Sequence, residues 1–233
     1  FERTFIDTKE RYIINDVDPF NFYGDKLVLD AGCGSGKVTS AIAKFGAKKI
    51  YGIDLTEEGI NFAIDRSKVF PEGQNINYKV GNCKSLPFDD NYFDIVHSNG
   101  VIHHTDDYEQ CLKEFSRVLK PSGKLWIFVM GRSGMFEIIA DTVRNIMKDV
   151  DRSLFMKYLE TLGFSSGRIY WITDHCYAKY NWKSKLEFEN LLYKYGFSNL
   201  KQLKRGINID QNELNFKNKP YAELKFGEGQ LKR

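Results

Sequence analysis

Short apolar runs and amphipathic stretches take turns along the first 130 residues of this 233-residue chain. Val28-Leu29 opens an apolar strand that ends in Asp30. Lys37 to Phe45 is compatible with a helix, and Lys49 to Ile53 reads as a second strand that ends in Asp54. A third strand is expected over Ile76 to Val80 and a fourth over Ile95 to Ser98. Phe115 to Gly123 reads as a helix closed by a proline–glycine turn, and the very apolar run Lys124 to Met130 as a fifth strand. Strand and helix signals alternating in this way predict parallel strands joined by right-handed crossovers: an α/β fold built on a doubly wound sheet.

Beyond Ser133 the period changes. Met135, Ile138, Ile139, Val143, Ile146 and Met147 recur at three- and four-residue steps, and Leu154, Phe155, Tyr158 and Leu162 continue the pattern, so helices are expected to about Tyr170. Lys185 to Tyr195 reads as the last core helix, stopped by Gly196. Leu200 to Arg205 and Tyr221 to Phe226 are candidates for two final strands. At the other end, Phe5, Ile6, Tyr12 and Ile13 mark one side of a helix, followed by a turn-rich link through Asp16, Asp18 and Pro19. The organisation expected is one domain. An N-terminal helix or cap spans 1–24, the core takes 25–131 and 183–233, and a helical insertion with an aromatic substrate loop takes 132–182.

The chemistry concentrates where the first strand breaks into Asp30-Ala31-Gly32-Cys33-Gly34-Ser35-Gly36. Glycines let the backbone turn sharply and approach a ligand closely, because no Cβ intrudes. Asp54 closes the next strand about twenty residues on, where a nucleotide site places its ribose-binding carboxylate. A dinucleotide fingerprint would read G-x-G-x-x-G; here Gly36 arrives one residue early. A P-loop is excluded, since no Gly-Lys-Ser/Thr follows four variable residues.

Asp30, Gly32, Gly34 and Gly36 match, position by position, the E/D-x-G-x-G-x-G motif of class I S-adenosylmethionine-dependent methyltransferases, which this sequence resembles. The resemblance implies S-adenosylmethionine as methyl donor and S-adenosylhomocysteine as product. It assigns Asp54 to the ribose, lays Leu55 against the adenine, and puts the amide of Asn82 and the backbone of Cys83 at the adenine edge. Many members carry Gly-Asp-Ala where this chain has Gly81-Asn82-Cys83; an amide oxygen can still accept the adenine bond, with less charge assistance. Leu86-Pro87-Phe88-Asp89-Asp90 through Phe93-Asp94, together with Arg117-Val118-Leu119-Lys120-Pro121-Ser122-Gly123, is similar to the small-molecule subgroup that includes quinone and natural-product enzymes. The same resemblance implies a seven-stranded sheet whose last strand is antiparallel, with the insertion after strand five serving as a substrate lid or only covering a sheet edge or forming an oligomer contact. The N-terminal helix would close over the cofactor or simply pack on the sheet.

Methyl transfer needs an in-line approach and little else, with a general base only where the acceptor is weakly acidic. In an open α/β sheet ligands gather at the carboxyl ends of the strands. The exit of strand four, from Ser98 to Asp107, holds two of the four histidines, His103 and His104. Ser98 is grouped with the cofactor residues. Either histidine could serve as base; alternatively one packs against the methionine end while the other caps the helix that starts near Asp106. A second candidate cluster runs from Tyr170 to Trp182, where Asp174, His175 and Tyr177 sit among aromatic residues that could hold an acceptor. The bland reading is that these aromatics only pack the insertion onto the sheet.

Composition narrows the partners. With 34 basic and 31 acidic residues the net charge is +3, so no strong field for a polyanion exists and nucleic acid is not favoured. Cys33, Cys83, Cys111 and Cys176 form no C-x-x-C pair, which argues against a metal site and fits a reducing compartment. No apolar run approaches a membrane span and no secretory signal opens the sequence. The expectation is a cytoplasmic enzyme, monomer or homodimer, that methylates a small molecule at oxygen, nitrogen or carbon. Its rivals are a tRNA or protein methyltransferase and a non-catalytic S-adenosylmethionine-binding protein.

Overall fold

Five strands, each with the β-branched or aliphatic residues expected of a doubly covered sheet, form the centre of the computed structural model, which describes residues 2–131 and 135–204. They are β1 (Leu27–Ala31), β2 (Lys49–Asp54), β3 (Ile76–Val80), β4 (Phe93–Asn99) and β5 (Leu119–Phe128). All neighbours are parallel, in the order β3-β2-β1-β4-β5. The two-residue side-chain period sends Val28, Ile50 and Ile95 to one face and Leu29, Ile53 and Val96 to the other, where separate apolar clusters bury them. The order reverses between β1 and β4. The crevice outside their carboxyl ends is therefore where such a sheet takes a ligand.

Helices cover both faces. On the first, α1 (Glu2–Ile13), α2 (Pro19–Tyr23) and α3 (Lys37–Lys44) bring Tyr12, Tyr23, Ile42 and Phe45 onto the sheet. Phe5 and Tyr12 meet Phe45, and Tyr12 also reaches Trp126 of β5, so α1 packs against the sheet layer. Beyond β2 runs α4 (Glu57–Ser67). The opposite face carries α5 (Tyr108–Val118), which buries Cys111, Leu112, Phe115 and Val118, and α9 (Lys185–Lys194), which adds Leu192. Local chemistry sets these ends: Asp107 caps α5 by accepting from Gln110 N–H at 2.9 Å, and Ser184 with Glu187 forms a capping box on α9.

The helical insertion is three helices, α6 (Met135–Met147), α7 (Arg152–Thr161) and α8 (Ser166–Tyr177). Here the structure corrects the expected loop: Tyr170 to Tyr177 lies inside α8, and only the residues after it are extended. The backbone bonds of a helix accommodate this mixed polar and aromatic run as readily as a loop would. β5 differs too. It starts at Leu119, five residues before the expected Lys124, and ends at Phe128. Pro121-Ser122-Gly123 bulges out of the strand, because Phe93 pairs with Leu119 while Ile95, two residues on, pairs with Lys124. Ser122 takes the left-handed φ of 65° that the bulge demands.

Leu200 to Lys204 forms no strand. Its backbone is claimed by Asn15 instead, whose side chain accepts from Lys204 N–H at 2.7 Å and donates to Lys204 O at 3.1 Å. Arg205 and the expected strand Tyr221 to Phe226 lie outside the described residues. A seven-stranded sheet with an antiparallel last strand is therefore not what the described residues form; they form five parallel strands. Among them, no helix is long and apolar enough to cross a membrane.

Candidate active site

The loop after β1 is shaped by what surrounds each glycine. Gly32, Gly34 and Gly36 all hold left-handed φ angles of 83°, 50° and 71°. A Cβ on Gly32 would stand 2.2 Å from a Val101 methyl, and one on Gly36 would stand 2.5 Å from the Tyr78 hydroxyl. At Gly34 a Cβ would meet nothing within 4 Å, so this is the open side of the loop. Gly32 and Cys33 N–H groups both donate to Ile53 O, at 2.7 and 3.0 Å, which ties the loop to the end of β2.

Asp54 sits at that end. Its Oδ2 accepts from Gly34 N–H at 2.8 Å, and its Oδ1 accepts from the backbone and hydroxyl of Thr56 at 3.0 and 2.7 Å. The carboxylate is thus oriented before any ligand arrives, by a threonine that the motif did not point to. Leu55, beside it, is 66% exposed, as a residue waiting for a flat partner would be.

Asp30 does something other than expected. Only 2% exposed, it accepts from Thr39 Oγ1 at 2.6 Å through one oxygen and meets His97 Nδ1 at 3.1 Å through the other. With each oxygen engaged inside the sheet layer it braces the loop onto α3 and β4. His97 in turn stacks on Trp126 with centroids 4.5 Å apart. Ser98 is fully buried within β4, and its Oγ has no hydrogen-bond partner among the described residues. Asn82 Oδ1 accepts from Lys84 N–H at 2.9 Å, an Asx turn that fixes the amide and leaves one lone pair on that oxygen. Burial drives the Cys33 thiol well above its usual range and the Cys83 thiol to about 12, so both pack as small neutral groups.

Across the crevice, Val101 packs on Gly32 and leads into a tight turn, Ile102–His104. His103 is 2% exposed; its Nδ1 accepts from Met130 N–H at 3.4 Å, and its backbone oxygen accepts from Asn181 N–H at 2.6 Å. Burial first, and the neighbouring His104 second, hold its pKa down at about 3. It is a neutral ring at any working pH. His104, half-buried, places Nδ1 3.0 Å from Lys179 O. Neither histidine caps the following helix, a role Asp107 fills.

The insertion meets this turn at Tyr180. That ring lies 5.5 Å from His103, nearly parallel, and 4.6 Å from His104, while its far side stacks on Trp182 at 4.6 Å. Tyr180 Oη donates to Asp174 Oδ2 at 2.6 Å. The Arg144 guanidinium covers Tyr180 and Trp182 at 4.8 and 5.5 Å, donates to His175 O at 3.0 Å and pairs with Asp141. Asp174 therefore positions Tyr180. His175 Nδ1 lies 2.8 Å from Trp171 O within its own helix, with its ring 6.1 Å from Tyr180. Tyr177 points elsewhere, toward Phe155 of α7 at 6.0 Å, with its hydroxyl buried and unpaired among the described residues. The structure thus brings His103, His104 and Asp174 together, with His175 at the margin, and leaves Tyr177 out. Sequence reasoning took Tyr180 only as part of the aromatic run and passed over Arg144; the two join only when α6 and α8 pack.

Residues 29–127 match the family described as Methyltransferase domain. That stretch, from β1 to β5, is similar to a methyltransferase domain. Among characterised relatives, the ubiquinone biosynthesis O-methyltransferase of Coxiella burnetii is 33% identical over 108 residues, 46% of this chain and 45% of that one. The demethylmenaquinone methyltransferase of Chlorobaculum tepidum is 37% identical over 100 residues, 43% and 39% of the two chains. The chain spans about half the length, or less, of these relatives. The solved structure of YcgJ from Bacillus subtilis superposes with a TM-score of 0.55 at 18% identity, covering 85% of this chain and 69% of that one. A geranyl diphosphate methyltransferase solved with its methyl donor gives 0.53 at 17%, covering 80% and 63%. These two share this chain's fold. Gly34's open flank, the pre-oriented Asp54 and exposed Leu55 suit a nucleoside carrying an amino-acid tail, with no phosphate to cradle.

Proposed function

We propose that this protein transfers a methyl group from S-adenosylmethionine to a small-molecule acceptor and releases S-adenosylhomocysteine. The observation that carries the reading is the pairing of the Asp54 carboxylate with the open Gly34 loop at the switch point between β1 and β4. Asp54 receives the ribose hydroxyls, exchanging Gly34 N–H and Thr56 Oγ1 for them. The Gly32–Gly36 loop faces the amino-acid tail, Leu55 lies on the adenine, and Asn82 with the Cys83 N–H reads the adenine edge. When bound, the donor supplies a sulfonium methyl, already electrophilic. The chain's own task is to orient the acceptor and exclude water. The turn at His103 and His104, closed over by Tyr180, is where the acceptor is held. Near-neutral charge supports a small molecule over nucleic acid, and we place the protein in the cytoplasm as monomer or homodimer.

The test is incubation with methyl-labelled S-adenosylmethionine and a cell extract split into polar metabolites, lipids, RNA and protein. Label in the metabolite or lipid fraction is expected, and the labelled compound is then identified. Label in RNA or protein would replace this reading with a macromolecular substrate. Tight donor binding with no transfer to any fraction would favour a non-catalytic binder.

A further inference from the structure

Two adjacent histidines in one turn invite the assumption that they share a role, but their hydrogen bonds make them opposite. A backbone N–H can only donate, and Met130 N–H is directed at His103 Nδ1. That nitrogen must therefore carry its lone pair, so the proton of this neutral ring sits on Nε2. A carbonyl can only accept, and Lys179 O lies 3.0 Å from His104 Nδ1. There the proton sits on Nδ1, and Nε2 is left as the basic nitrogen. Resting on the methyltransferase reading above, the geometry points to a division of labour: His104 Nε2 is the proton acceptor for a hydroxyl on the substrate, and His103 is a fixed hydrogen-bond donor.

The surroundings fit this split. His104 is half-buried, so the cation it forms keeps contact with water, and the Lys179 carbonyl accepts more strongly from an imidazolium than from an imidazole. The Tyr180 ring, 4.6 Å away, offers a π surface to that cation. His103 cannot take this part. It is buried, and burial keeps it neutral down to about pH 3. The two rings lie 4.1 Å apart, centroid to centroid. The other charged groups near the turn stand behind Tyr180: Asp174 on its hydroxyl, Arg144 over its face and His175 at the margin.

In the reaction so assigned, the acceptor oxygen forms the new O–CH3 bond as the S–CH3 bond breaks. The bonding pair stays on sulfur as a neutral thioether, and the hydroxyl proton passes to His104 Nε2. The sulfonium charge is replaced by an imidazolium charge. Acceptors whose attacking atom carries no proton would not need this residue, so the arrangement selects a hydroxyl over a tertiary amine.

Tautomers can be read directly. Nitrogen-15 NMR of the histidine-labelled full chain at neutral pH, with S-adenosylhomocysteine added, should show His103 protonated on Nε2 and His104 on Nδ1. An Nε2–H tautomer at His104 overturns the assignment. His104→Asn keeps a donor for Lys179 O, because the asparagine amide stands in for Nδ1–H, but it has no base. In the labelling assay its rate should fall at least about 100-fold, as expected of a general base, and recover partly as pH rises. Its donor affinity by calorimetry should match the parent. An unchanged rate, or a loss of donor affinity, refutes the role of base. If the parent chain itself fails to bind the donor, the methyltransferase reading fails instead.

Discussion

The two walls of the crevice are held by different physics. On the donor side, the loop from Gly32 to Gly36 is a backbone object: its shape comes from three left-handed glycines and from main-chain bonds to Ile53. On the acceptor side, the wall is made of side chains. His103, His104, Tyr180, Trp182 and Arg144 stack on one another and come from the β4 exit, the segment after α8, and α6. A backbone wall tolerates change only where a glycine is free of neighbours. A side-chain wall can be rebuilt residue by residue without unfolding the sheet. On the proposed reading, that contrast would let one scaffold keep a donor and change its acceptor.

The largest effect should come from Gly32→Ala. The new methyl would overlap the Val101 side chain and force an alanine into a left-handed conformation, for a combined cost of about 3 kcal/mol. Thermal unfolding should shift down clearly and donor binding should be lost. Gly34→Ala, where no atom lies within 4 Å, should cost much less in stability, and equal losses at the two positions would break the account of the loop.

Asp54→Ala comes next. Charge-assisted bonds of the ribose type are worth about 1.5–3 kcal/mol, so donor affinity in calorimetry should drop roughly ten- to a hundredfold. Near-normal affinity would remove Asp54 from the ribose.

On the acceptor side, acid should reveal His103. Its folded pKa lies near 3, below the usual 6.5, so the unfolded chain binds a proton that the folded chain refuses. The stability it supports is complete above about pH 6.5 and is lost as pH falls toward 3. His103→Asn keeps an acceptor for Met130 N–H and should show a shallower fall in denaturation midpoint across that window. Parallel slopes for parent and variant would show that the ring is not kept neutral. Tyr180→Phe should be mildest, about 1 kcal/mol for the bond to Asp174. Turnover should fall while donor affinity stays put; a matching fall in donor affinity would mean the two walls are not separate.

The alternation of apolar strands and amphipathic helices, the glycine spacing and the acid at the end of β2 were all legible in the chain. Each is a local pattern, set by side-chain period and backbone freedom, and each appears in the structure, with the start of β5 shifted from Lys124 to Leu119. Local reasoning misjudged residues whose partners are remote. Asp30 was read for its place in the motif, yet its partners in the structure are Thr39 and His97, which tie it to α3 and β4. Leu200 to Lys204 had a strand's composition, but the backbone of Lys204 bonds to the Asn15 side chain, 189 residues earlier. Tyr177 and Tyr180 are both tyrosines of one aromatic run; packing turns the first toward α7 and seats the second on the histidines. By itself, then, the sequence determined the sheet, the loop and the kind of donor it suits, because those depend on neighbours within a few residues. Which nitrogen of which histidine is free to take a proton was decided only by the fold, because Met130 and Lys179 reach the turn through tertiary packing.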